Sequence, residues 1–201
     1  MKNSKKIMLL IIGILIVIAI FFMLQIYAKY LSSASGATTL TIAKWNILVN
    51  NASIKSNTDI SNSIVPVFPG NEHIAKDIIA PTAEGYFDLE LDFTDADVSF
   101  EYEITTTVDE NSGVKDLVTT GYSIDDGEKI VFDTYNQSIK ETIELTTEVK
   151  TKKIRIYILW NDDENTQVMT NQEDTEATIN NTPAILKVNV SFKQITTTEG
   201  V

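Results

Sequence analysis

The chain has 201 residues, 16 of them basic and 28 acidic, a formal net charge of −12, one histidine and no cysteine. Without cysteine there is no thiol catalysis, thiolate zinc site or iron–sulfur cluster, and an acidic chain has no material for a basic groove that follows nucleic-acid phosphates. A single histidine, His73 in Gly70-Asn71-Glu72-His73, does not supply the paired imidazoles of a zinc protease.

Lys2, Lys5 and Lys6 precede an uncharged run from Ile7 to Leu24. A bilayer-spanning helix needs about 20 apolar residues. A basic stretch, an apolar core and small residues also make a signal peptide. Either reading puts everything after Ser32 outside the cytoplasm, secreted or on the cell surface. If signal peptidase cuts, Ala28 in Ile26-Tyr27-Ala28 is the candidate −1 residue, and Ser33-Ala34-Ser35 is a second site. If no cut occurs, residues 7–28 anchor the domain in the membrane with the lysines inside. The run exceeds the roughly 7–15 residues of a usual signal core, which favours anchoring.

Residues 1–28 carry three of the basic residues, so the other 173 hold 13 basic and 28 acidic residues, a net −15. That charge disfavours nucleic acid and anionic membrane surfaces, and the length suits one domain with a real core. The expected organisation is 1–28 as signal peptide or membrane anchor, 29–39 as an exposed N-terminal segment, and 40–201 as one domain.

Beyond the leader the pattern has period two, the mark of strands with one buried face. In Thr38–Val49, Leu40 and Ile42 share one parity and Trp45, Ile47 and Val49 the other, which predicts a bulge at Ala43-Lys44. Phe87, Leu89, Leu91 and Phe93 form a second face, and Val98, Phe100, Tyr102 and Ile104 a third. Lys129–Phe132 and the set Ile139, Ile143 and Leu145 suggest two shorter strands. Ile154, Ile156, Ile158 and Trp160 form another face, and Leu186, Val188, Val190 and Phe192 the last. Trp45, Phe87, Phe93, Phe100, Trp160 and Phe192 are the predicted core aromatics. Pro69-Gly70-Asn71, Asn111-Ser112-Gly113 and Asp125-Asp126-Gly127 are turn signals between the runs. Asn71–Ile79 has room for a short turn of helix, and the polar stretch Asn161–Thr182 reads as a long loop. Seven to nine strands predict an all-β fold, a two-sheet antiparallel sandwich.

The search for chemistry finds little. No Gly-x-Ser-x-Gly elbow accompanies His73, and most carboxylates lie on the outward parity of strands. No catalytic residue, cofactor-binding residue or metal ligand is assigned, and the chain is expected not to be an enzyme. Asp162, Asp163, Glu164, Glu173, Asp174 and Glu176 give calcium a weak case, without the alternating spacing and glycine of an EF-hand loop. Tyr86, Tyr122, Tyr135 and Tyr157 are the aromatics that a carbohydrate- or protein-binding sandwich would expose.

Three segments carry a resemblance. Ser35-Gly36-Ala37-Thr38-Thr39-Leu40-Thr41-Ile42 follows the leader, Ile78-Ile79-Ala80-Pro81-Thr82-Ala83-Glu84-Gly85-Tyr86-Phe87 precedes a core strand, and Trp160-Asn161 is followed by Asn171-Gln172-Glu173-Asp174-Thr175. Together they resemble the TasA/camelysin-type secreted proteins of Gram-positive bacteria, although Thr82 stands where glycine is usual and Asn171-Gln172 replaces Asn-Asp. The resemblance implies a jelly-roll-like sandwich and cleavage by a dedicated signal peptidase. It also implies a biofilm matrix fibre subunit whose freed N-terminus adds as a donor strand to the next copy, so that the partner is the protein itself or a related matrix protein. The donor would be Lys29, Tyr30, Leu31, Ser32, Ser33, Ala34, Ser35 and Gly36, with Tyr30 and Leu31 as anchors. Camelysin-like members are described as metalloproteases, which one histidine does not support. The alternative to a fibre subunit is a tethered or secreted carbohydrate- or protein-binding module.

Overall fold

The computed structural model describes residues 2–30, 42–54 and 58–195. The chain divides into two compact units, Met1–Thr41 and Ile42–Val201. In the first unit, helix α1 spans Lys2–Tyr30. Its stretch Lys6–Met23 is long and apolar enough to cross a membrane, and none of it is buried against protein. A helix of this length rises about 1.5 Å per residue, so it exceeds the ~30 Å of a hydrocarbon core.

The second unit is a sandwich of two antiparallel sheets, as the alternating faces predict. Its strands are β1 (Trp45–Val49), β2 (Ala52–Ser53), β3 (Glu84–Ala96), β4 (Phe100–Val108), β5 (Leu117–Ile124), β6 (Ile130–Val131), β7 (Ile139–Ile143), β8 (Thr151–Trp160) and β9 (Leu186–Gln194). The large sheet has the order β2-β1-β3-β8-β5-β6 and the small one β7-β4-β9. Each strand's apolar parity turns inward because only that face escapes water. Leu89, Ile154, Tyr102, Phe100 and Ile104 are almost completely buried between the sheets.

Four expectations about secondary structure need correction. The bulge in β1 falls between Asn46 and Leu48, where the register with β3 shifts, rather than at Ala43-Lys44. Leu145 lies in an exposed turn, because β7 ends at Ile143. Asn71–Ile79 is a run of bends, held by Asn71 Oδ1 accepting from the His73 and Ile74 amides. The expected loop at 161–182 contains a helix, α2 (Asn171–Ile179), started by a capping box between Thr170 and Glu173.

Among the aromatics, Phe87, Phe93, Phe100 and Trp160 are buried, and Phe192 is half-buried on β9 with its ring 6.0 Å from that of Phe100. Trp45 is corrected: it is 43 % exposed. It stands at the open start of β1 and packs edge-on against Phe100, 5.7 Å between centroids, so only one side of the indole is covered.

Candidate functional site

The six-stranded sheet is faced by only three strands, and the mismatch leaves a groove. β9 pairs with β4 along its whole length, from Leu186↔Val108 to Gln194↔Phe100. Among the described residues no strand pairs with its other edge. Beside the first half of that edge lies a cavity of about 740 Å³. Ile60, Ile64 and Phe68 line it on one side and Leu186 and Val188 on the other, with Phe87 of β3 also part of its lining. Asp59, Asp109 and Lys187 supply its charge. Lys187 Nζ lies 2.7 Å from Asp109 Oδ2, and this hydrogen bond, helped by the Asn111 amide, holds the Asp109 carboxyl below the ordinary aspartate range.

Local sequence explains why this wall is not a strand. Pro66 has no amide hydrogen for a ladder, and the segment pairs with β3 only through the isolated bridge Val67↔Tyr86. Phe68 seats on Gly85, where a β-carbon would stand 2.6 Å from its ring. Glycine at that point of β3 makes the close approach feasible.

The second feature lies at α2. The Trp160 indole donates to Asp174 Oδ1 at 3.2 Å, beneath the helix. Trp160, Val114, Leu117, Met169 and Ala177 form a small apolar cluster there. Asp116 accepts from the amides of Val168 and Met169, both at 2.6 Å, which fixes the approach to the helix. The carboxylates considered for calcium are thus partly occupied: Glu173 caps α2, Asp163 accepts from Asn165, and Glu176 accepts from Gln172. Among the described residues no group of three or more His, Cys, Asp or Glu side chains is arranged to hold a metal.

The tyrosines divide. Tyr86 and Tyr157 stand side by side, 6.4 Å between centroids, but Arg155 lies over Tyr86 and Lys129 over Tyr157. Tyr122 packs against Phe132 beside the core, and Tyr135 is exposed. His73 is a surface side chain 3.2 Å from Glu72. Ala28, Lys29 and Tyr30 lie in the last turn of α1, and Leu31, Ser32, Ser33, Ala34, Ser35 and Gly36 lie outside the described residues.

The groove and the Trp160–Asp174 contact are absent from the sequence reading. Nothing local marks the groove, which arises between segments more than a hundred residues apart. The Thr170-Asn171-Gln172-Glu173 capping pattern was a legible signal for α2. No protein-family model matches the chain and no curated protein matches it.

Proposed function

We propose that this is a non-enzymatic exported surface protein that associates with further copies of itself, the segment Lys29–Gly36 of one copy adding as a strand along the free edge of β9 in the next. The observation that carries the reading is the edge of β9, unpaired among the described residues, beside an apolar groove. An open edge presents unpaired amides and carbonyls that an extended peptide satisfies, while alternate side chains enter pockets. Tyr30 and Leu31 are the anchors for the groove. The resemblance to TasA/camelysin-type proteins supports the same mechanism, and signal peptidase is the partner that would free the donor.

The placement of the two ends favours extension. The chain enters the sandwich beside Trp45, which touches Phe100 at the Gln194 end of β9. The groove lies at the Leu186–Val188 end. A strand from one copy on the β9 edge of the next joins unlike surfaces, a heterologous contact that extends as a filament where its rotation does not close a ring.

Electron microscopy of the chain from residue 29 tests this against the chain from residue 37, with circular dichroism on both. Filaments from the first alone, with equal β-content, are expected. Filaments from both would sink the donor-strand mechanism. The binding-module alternative draws little from the tyrosines, since the two that stand together already stack on cations.

A further inference from the structure

At the α2 end of the sandwich, charge is arranged in a way that the assembly mechanism does not use. Between Arg155 and Lys187 there is no basic residue, but there are six acidic ones. One of them, Asp174, is only 3 % exposed. Its Oδ1 takes the Trp160 indole hydrogen, and its Oδ2 is buried with no hydrogen-bond partner. Gln167 Oε1, just before α2, is likewise a buried acceptor without a donor. An ionised carboxylate is costly in such a place, whereas a neutral carboxyl is tolerated and brings a hydrogen to donate.

The groups around it oppose ionisation. Asp116 acts from the segment before β5, Asp162 from the segment after β8, and Glu173 from α2 itself. Lys115 is near in sequence, but its ammonium is bound to the Glu110 carbonyl. Lys187 is committed to Asp109. The positive end of α2 and the Trp160 hydrogen bond favour the charge, yet burial outweighs them and holds the Asp174 carboxyl above the ordinary aspartate range.

We propose that Asp174 makes α2 a proton-operated latch: α2 seats firmly on Trp160 when the side chain is a neutral acid and loosens when it ionises. The seat matters beyond the helix. Ile79, Leu117, Ala184 and Leu186 belong both to the packing around α2 and to the lining of the groove. Loosening α2 therefore loosens one wall of the groove. The latch stands independently of the assembly proposal; only its effect on strand acceptance rests on that reading.

The sign follows from the raised pKa. The folded form with α2 seated binds the proton more tightly than the open form, so seating strengthens as pH falls toward the unfolded-state value and weakens as pH rises through the folded one. Local opening of this kind is read by amide hydrogen exchange.

The test is exchange at residues 168–182 in the full chain in detergent, at pH 5 and pH 7.5, corrected for intrinsic rates. The wild type should be better protected at pH 5 than at pH 7.5, because the raised pKa of the buried carboxyl favours the seated helix on the acid side. Asp174→Asn, which is neutral at both pH values, should be equally protected at both and better protected than wild type at pH 7.5. Equal wild-type protection at the two pH values would overturn the latch. So would protection restored at pH 7.5 by added calcium and lost in Asp174→Asn, which would assign the carboxylate to a cation. Filament formation is scored separately, so a working latch without filaments would count against the assembly reading alone.

Discussion

Lys152 of the large sheet forms an ion pair with Glu141 of the small sheet, and the Tyr102 hydroxyl donates to the other oxygen of the same carboxylate at 2.6 Å. The three groups tie the sandwich together along the β7 side, opposite the groove beside β9. Lys152 keeps only 15 % of its side chain exposed, so little water can replace that partner. Burial, then the Glu141 bond, push the Tyr102 phenol well above its usual range and keep it neutral.

Glu141→Gln should therefore destabilise the domain by about 1–3 kcal/mol, because it leaves a half-buried ammonium unpaired while barely changing shape. Adding Lys152→Met should recover part of the loss, since a buried pair replaced together costs less than a pair broken on one side. Urea unfolding of both variants checks this. An unchanged midpoint for Glu141→Gln would show that the tie contributes nothing.

Asp88 sits on the outer face of the large sheet with both oxygens held by Arg155, at 2.8 and 2.9 Å, and with Lys153 at 3.4 Å. The Arg155 hydrogen bonds, then its charge and that of Lys153, hold the carboxyl below the ordinary range against desolvation. A lowered folded pKa contributes stability above the unfolded value of about 3.9, and that stability is lost as pH falls through the folded pKa. Asp88→Asn should lose about 1 kcal/mol at pH 6, a modest figure because solvent screens the pair. The gap from wild type should close below pH 4. A constant difference between pH 6 and pH 2.5 would contradict this assignment.

At Gly121 the register between β5 and β8 shifts, and a β-carbon there would stand 2.2 Å from the Ile130 carbonyl oxygen. Gly121→Ala should detach the two-residue strand β6 and cost on the order of 1–3 kcal/mol, as overpacking does. Faster amide exchange at Ile130 and Phe132, the alternate amides that face β5, with β3 and β8 still protected, is the expected signature. Unaltered exchange at those amides would mean that the backbone yields there without loss.

The strands that alternate cleanly were legible: the faces of β3, β4, β8 and β9 are those predicted, because burial on one side forces period two. Trp45 obeys the same parity but sits where β1 begins, and parity does not report how far a neighbouring element extends. α2 was missed because Asn171–Ile179 has only Ala177 and Ile179 as apolar residues, too few for a helical stripe. Its attachment depends instead on a buried carboxylate, a residue type read as solvent-facing by default. The groove was invisible for another reason. It is a space left over by the pairing of distant strands, and no local pattern encodes a missing neighbour.

The order of strands also bears on when the domain becomes whole. β4 is the central strand of the small sheet, and its partners are β7 and β9, the latter ending at Gln194. Pairing Phe100 with Gln194 closes a span of more than ninety residues, and such distant contacts form late. Until β9 is available, the inner face of the large sheet has no complete cover, so a chain that emerges N-terminus first stays open until β9 has appeared. Loss of the last ten described residues would remove one of the three strands of the small sheet, while a deletion in a turn such as Asp125-Asp126-Gly127 would cost only a connection.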